Sequence, residues 1–152
     1  MSLIVYPTTN YNSWISYADA CSYFNDRLNS EEWDLSHSDV QQAALITAFN
    51  HLNELPLDLT DLESGDDDTV DALLTLLKRG QCEQALHLLK YGTQDVLVKD
   101  VSLGGLLKVG LVSDGKNPPP YSSRAIAILH DYIQRKTIDA NRYVAGTTNY
   151  YG

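Results

Sequence analysis

One stretch constrains the fold more than any other: residues 36–55, SHSDVQQAALITAFNHLNEL. Leu45, Ala48, Phe49 and Leu52 recur at helical spacing, and Ala44 and Ile46 widen that face beyond the narrow stripe of a surface helix. Thr47, Asn50, His51, Asn53 and Glu54 fill the other side, and Pro56 stops the element. Ser36 is placed to cap the helix, with Asp39 near the positive end of its dipole. At roughly 1.5 Å per residue the stretch gives a rod of about 25–30 Å, long enough to cross a small domain. The other helices are expected to pack against it.

The rest of the chain supplies those helices. Ser16 and Asp19 form a weak capping box, and Ala20, Tyr23, Phe24 and Leu28 continue a first helix. Trp33, in the connection that follows, is expected to plug the space between the first two helices. Val70, Leu73, Leu74, Leu77, Ala85, Leu88 and Leu89 keep a helical period up to Gly92, which is placed to end it. Gly80 costs a continuous helix about 1 kcal/mol, so this span reads as one helix or as two joined there. Ser122 or Ser123 then caps a last helix carrying Ile126, Leu129, Tyr132 and Ile133.

Three segments lack this period. Leu3, Ile4, Val5 and Tyr6 are a short β-prone run opening an extended amino-terminal arm. Residues 95–114 alternate weakly through Val96, Val98 and Val101, can turn at Gly104 and Gly105, and continue through Leu106 and Leu107; a β-hairpin or a long loop is expected. Residues 137–152 hold too few apolar side chains to fold alone. The expected architecture is therefore mainly α, a small bundle of about four helices within residues 1–136, with residues 95–114 as an insertion and residues 137–152 as a carboxyl-terminal arm.

Charge is distributed unevenly. The 152 residues carry a net −9. Residues 1–77 hold fourteen acids against Arg27 alone, a net −13, and residues 78–152 hold ten bases and six acids, a net +4. That is a poor match to wrapping DNA, where affinity comes from neutralising phosphates. It suits a molecule with an acidic and a mildly basic end, able to stack head to tail or ring against a partner. The acids of residues 56–69 do not follow the ligand order of a calcium loop, whose sixth position is glycine, and read as a solvated loop. A DNA-mimicking inhibitor would rest on that acidic stretch alone.

Catalytic chemistry finds little support. His87 follows Cys82 by five residues, which on a helix puts them on different faces, while His51 and His130 stand alone and His37 lies near a cap. No cysteine or histidine pair has zinc spacing, and the glycine pair lacks the lysine and hydroxyl of a phosphate loop. No cofactor, metal or membrane span is expected, and the first seven residues lack the basic start and apolar centre of a signal peptide. Cys21 and Cys82 are expected to be a buried, reduced pair, in keeping with a reducing compartment, with a disulfide between them as the unsupported alternative. Arg142 with Tyr143, and Arg124 near Tyr121, place a base beside an aromatic as single-stranded nucleic acid would require.

Asn12-Ser13-Trp14-Ile15-Ser16-Tyr17-Ala18-Asp19-Ala20, then Tyr23-Phe24, the isolated Trp33 and Gln42-Ala43-Ala44-Leu45-Ile46-Thr47-Ala48 with Phe49 and Leu52 form a series of motifs. Over residues 2–55 this series resembles the tailed-phage head-to-tail adaptor (connector) family, some of whose members are labelled DnaT-like single-stranded DNA-binding proteins. The likeness is looser beyond, and the acidic residues 56–69 stand where the family often has a basic, tryptophan-containing loop. The resemblance implies a helical bundle assembling as a ring of twelve copies beneath the portal of a capsid. Such a ring is made in the host bacterial cytoplasm and ends in the virion at the head–tail junction. It extends the channel, lets genomic DNA pass without specific binding, and offers a platform to the next neck or tail protein. Arms like residues 137–152 dock on the portal, which makes Arg142, Tyr143, Tyr150 and Tyr151 the expected portal contacts. Val96, Val98, Leu106 and Leu107 are expected to touch a neighbouring copy or the neck. The alternative expectation is a single-stranded DNA-binding accessory protein.

Overall fold

Three hydrogen-bonded caps set where helices begin. The Ser16 hydroxyl accepts from the Asp19 amide at 3.1 Å, the Asp66 carboxylate from Thr69 at 2.8 Å, and the Ser122 hydroxyl from Ala125 at 3.2 Å. The computed structural model describes residues 2–92 and 118–133, and among them the regular structure is entirely helical. The helices are α1 (Tyr17–Asn25), α2 (Glu31–Asp34), α3 (Ser38–Asn53), α4 (Thr60–Ser64), α5 (Asp67–Tyr91) and α6 (Ser123–Leu129), followed by a 3-10 turn, His130–Tyr132. A small helical bundle is what the periodicity predicts. The helices in excess of four are the single turns α2 and α4.

Ser36 does not cap α3. The helix starts at Ser38, with His37 in extended backbone at the cap position and no side-chain cap bond. The Ser36 hydroxyl instead donates to the Glu32 carbonyl at 2.7 Å. The preceding turn α2 ends at Asp34, two residues earlier, and its Glu32 carbonyl takes the hydroxyl.

The bundle is also centred differently from the expectation. All five other helices pack on α5. Helix α3 offers one apolar face, whereas Gly80 to Leu86 of α5 are buried all round. Around the first half of α5, Leu73 and Leu77 meet Trp14, Leu52, Tyr121, Ile126 and Leu129. Around its second half, Cys82, Ala85 and Leu88 meet Ile15, Phe24, Trp33, Leu45 and Ala48. The helix runs unbroken through Gly80, where a Cβ would come within 2.9 Å of Leu129 Cδ1. The missing side chain lets α6 approach.

The amino-terminal arm lies on this core. Tyr6 N donates to Ser13 O at 2.9 Å and Asn12 N to Ile4 O at 2.8 Å, so the β-prone run pairs only with the residues just before α1. Tyr6 and Tyr11 meet edge to face, and Tyr11 meets Phe49 in the same way. Trp33 is buried and stacks on Phe24 with ring centroids 4.3 Å apart, filling the space between α1 and α3 as expected. Ile133 forms an antiparallel bridge with Leu57 and closes the described chain. Residues 95–114 and 137–152 lie outside the described residues.

Candidate functional site

Helix α5 carries polar side chains where its surroundings are apolar, and each holds another part of the chain. Gln81, fully buried, accepts from the Trp14 amide at 2.9 Å and donates to Ser13 Oγ and to the Leu45 carbonyl, both at 2.8 Å. Gln84 accepts from the Ser122 amide at 2.7 Å and donates to the Pro120 carbonyl at 3.1 Å. One turn on, His87 Nε2 lies 2.6 Å from the Pro119 carbonyl. Since a carbonyl can only accept, the ring proton sits on Nε2. These contacts fix the amino-terminal arm and the approach to α6 by backbone groups that a packed interior must satisfy.

Glu83 is the charged member of this group and is 2% exposed. Arg27 grips it through Nε at 2.7 Å and Nη2 at 2.9 Å, Tyr23 donates its hydroxyl to Oε2, and Arg124 Nε stands 3.6 Å from Oε1. Burial works to raise the Glu83 carboxyl, but the hydrogen bonds from Arg27 and Tyr23 outweigh it and hold the group below the usual carboxylate range. Burial, with the carboxylate beside it, pushes the Tyr23 hydroxyl well up. Burial also lowers His87, with the Lys90 charge acting in the same direction and the Pro119 contact against it.

Beside this cluster an open cleft of about 680 Å³ runs between the α1–α2 connection, the end of α5 and the start of α6. Of the five lysines and arginines among the described residues, Arg27, Lys90 and Arg124 line it. So do Leu28, 85% exposed, and Tyr91, 45% exposed. Lys90 Nζ stands 5.3 Å from the Tyr91 ring centre. At the other end of α5, about 35 Å away at 1.5 Å per residue, Glu63, Asp66, Asp67, Asp68 and Asp71 are all exposed. The folded molecule thus has an acidic pole and a cleft that gathers most of its described cations.

Burial drives the Cys82 thiol well up, opposing the thiolate a nucleophile requires, and both Cys82 and Cys21 are free. His87 points to Pro119, and His130 pairs with Asp131 at 3.4 Å. Among the described residues no group of three or more histidines, cysteines or acids could hold a metal, and no helix is long and apolar enough to cross a membrane.

The expected portal contacts Arg142, Tyr143, Tyr150 and Tyr151, and the expected neighbour contacts Val96, Val98, Leu106 and Leu107, all lie outside the described residues. Sequence reasoning missed the cleft and the polar residues of α5. A signal was there: Gln81, Glu83 and Gln84 interrupt a helix whose apolar period continues on both sides. Set beside known proteins, the chain matches no family model, no curated protein and no solved structure.

Proposed function

We propose that this chain is a structural head-to-tail adaptor of a tailed phage, a ring subunit that sits beneath the portal, extends the DNA channel and carries the next neck or tail protein. The observation behind this reading is that many of the residues resembling the adaptor family belong to the core. Trp14, Ile15, Ala20, Phe24, Trp33, Leu45, Ala48 and Leu52 are all buried. A likeness in core residues speaks for shared architecture, and the job then falls to surfaces. The charged groups near the core are occupied with one another: Glu83 by Arg27, Tyr23 and Arg124. What the described molecule offers a partner is its acidic pole, its cleft and its exposed apolar side chains.

In this reading residues 137–152 dock on the portal through Arg142, Tyr143, Tyr150 and Tyr151, aromatic burial giving affinity and Arg142 orientation. Val96, Val98, Leu106 and Leu107 meet a neighbouring copy or the neck. The test is imaging of the purified protein mixed with the portal of the same phage. Rings seated on the portal are expected for the full chain, and loss of docking with an unchanged melting curve for the chain ending at residue 136. Full docking by the shortened chain would refute the assigned contacts, and no docking by either would refute the adaptor.

A second reading, a single-stranded DNA-binding accessory protein, draws on Lys90, Arg124 and Tyr91 sharing one cleft. It requires salt-sensitive oligonucleotide affinity at about 150 mM salt. Fluorescence anisotropy showing such binding would replace the adaptor by this reading.

A further inference from the structure

We propose that the connection between α1 and α3 is a docking surface for a cationic amphipathic helix of another protein, with Leu28 and Leu35 as apolar anchors and the acids around them as its rim. Among the described residues the exposed large apolar side chains are Leu28, Leu35, Val40 and Tyr91, and three of these fall within residues 28–40. Leu28 and Leu35 stand on either side of the single turn α2, each 85% exposed, and Val40 follows in the first turn of α3. A lone exposed leucine is ordinary. Three such side chains on one short stretch are a contact patch.

The backbone that presents them is already fixed. Arg27 Nη1 donates to the Leu28 carbonyl at 2.6 Å and to the Asn29 carbonyl at 3.0 Å, and Asn29 takes a left-handed φ of 60°. Ser30 Oγ lies 3.2 Å from the Phe24 carbonyl and 3.3 Å from the Arg27 carbonyl. Past α2, the Ser36 hydroxyl donates to the Glu32 carbonyl and Gln41 Nε2 donates to the Trp33 carbonyl at 2.6 Å. Trp33, buried and stacked on Phe24, pins the middle of the connection. A partner is therefore spared the entropy of ordering a loop.

Charge then selects the partner. Residues 28–77 contain no lysine or arginine, and Arg27 is spent on Glu83. Leu28 borders the cleft that Lys90 and Arg124 also line, whereas Leu35, Val40 and the exposed acids Glu31, Asp34 and Asp39 lie outside it. Over that part of the surface the rim is acidic throughout, which repels an anionic lipid surface or a nucleic acid. A helix with leucine-like side chains along one face and lysines or arginines on its flanks meets both needs. Its apolar stripe covers Leu28, Leu35 and Val40, and its cations face Glu31, Asp34 and Asp39.

The test is fluorescence anisotropy of the full chain with a labelled amphipathic peptide of about fourteen leucines and lysines in helical register, beside an oligolysine of equal charge. The amphipathic peptide is expected to bind at least about tenfold more tightly than oligolysine, and more weakly at about 500 mM salt than at about 50 mM. Leu28→Ser with Leu35→Ser, and separately Glu31→Lys with Asp34→Lys, should each weaken it at least about tenfold. Glu63→Lys with Asp71→Lys, at the acidic pole, should leave it unchanged. Melting curves establish that the variants fold; should the charge variant melt low, Glu31→Gln with Asp34→Asn takes its place. Oligolysine binding as tightly, a leucine variant that binds like the wild type, or an equal loss in the pole variant would overturn the proposal. So would self-association of the wild type that the leucine variant abolishes, which would give this face to a second copy. Neither the face nor its occupant depends on portal docking, which is tested separately.

Discussion

Arg27 and Glu83 meet as a two-point ion pair across 56 residues of chain, Nε to Oε2 at 2.7 Å and Nη2 to Oε1 at 2.9 Å. The pair ties the connection after α1 to the middle of α5, and Tyr23 and Arg124 bring α1 and α6 to the same carboxylate. A buried pair of this kind is not a large net source of stability, because removing two charges from water offsets their attraction. It is, however, costly to break, because either partner alone is left desolvated.

Glu83→Ala should therefore destabilise the protein by about 3 kcal/mol, toward the lower end for a broken buried pair because Arg27 keeps some solvent contact. Glu83→Gln, which keeps an acceptor for Arg27, should cost less. The sign of the pH effect follows from a native carboxyl held below its unfolded value of about 4.3. The stabilisation is complete above that value and is lost as pH falls through the lowered native value. In urea unfolding, the gap between wild type and Glu83→Gln should shrink from about pH 5 to about pH 3. A gap independent of pH would show that the carboxylate charge is not what holds Arg27.

Gly80 poses a contest between two opposed effects. Alanine favours a helix interior over glycine by about 1 kcal/mol, but its Cβ would meet Leu129 Cδ1 at 2.9 Å and Cγ at 3.1 Å. Leu129 is fully buried, so it can make room only by repacking against its neighbours. Overpacking of this kind costs about 1–3 kcal/mol, so Gly80→Ala should lower the melting temperature, and Gly80→Val should lower it further. In a double-mutant cycle with Leu129→Ala, the glycine substitution should become less harmful. Simple additivity would place the strain elsewhere.

Tyr121 behaves oppositely. Its ring is buried among Leu73, Leu77 and Ile126, yet among the described residues its hydroxyl has no hydrogen-bond partner, and burial pushes it up to about 12. Removing an unpaired buried hydroxyl relieves a desolvation cost of about 1–3 kcal/mol. Tyr121→Phe should then leave the melting temperature unchanged or raise it, while Tyr121→Ala, which empties the site, should cost about 3–5 kcal/mol. A Phe variant that melts well below the wild type would mean that the hydroxyl is satisfied.

Local rules were readable wherever the deciding atoms lie close in sequence. Ser16 and Ser122 cap helices through residues three positions on, Gly92 ends α5 at a positive φ of 77°, and Trp33 fills the gap between the helices beside it. Ser36 has the same local credentials as Ser16, but α2 ends next to it and takes its hydroxyl. The reason for a glycine at position 80 lies in Leu129, 49 residues away, and was not readable from its neighbours. The polar hub was visible only as an anomaly, since Gln81 finds Trp14 67 residues away and Gln84 finds Ser122 38 residues away. The cleft has no sequence signature at all, being made of three separate segments.

His87 offers a switch in stability near neutral pH. Burial lowers its pKa, so the unfolded chain, with a value of about 6.5, binds the proton more readily than the native one. Its contribution is complete above about pH 6.5 and is lost as pH falls through the lowered native value. Glutamine can still donate to the Pro119 carbonyl, now held at 2.6 Å by Nε2, but takes up no proton. His87→Gln should thus match the wild type at about pH 8 and be the more stable of the two at about pH 5.5. His87→Ala should be weaker than the wild type at about pH 8, because the Pro119 carbonyl loses its donor. Urea midpoints of the three proteins at both pH values decide the matter, and parallel pH profiles for wild type and His87→Gln would remove His87 as the titrating group.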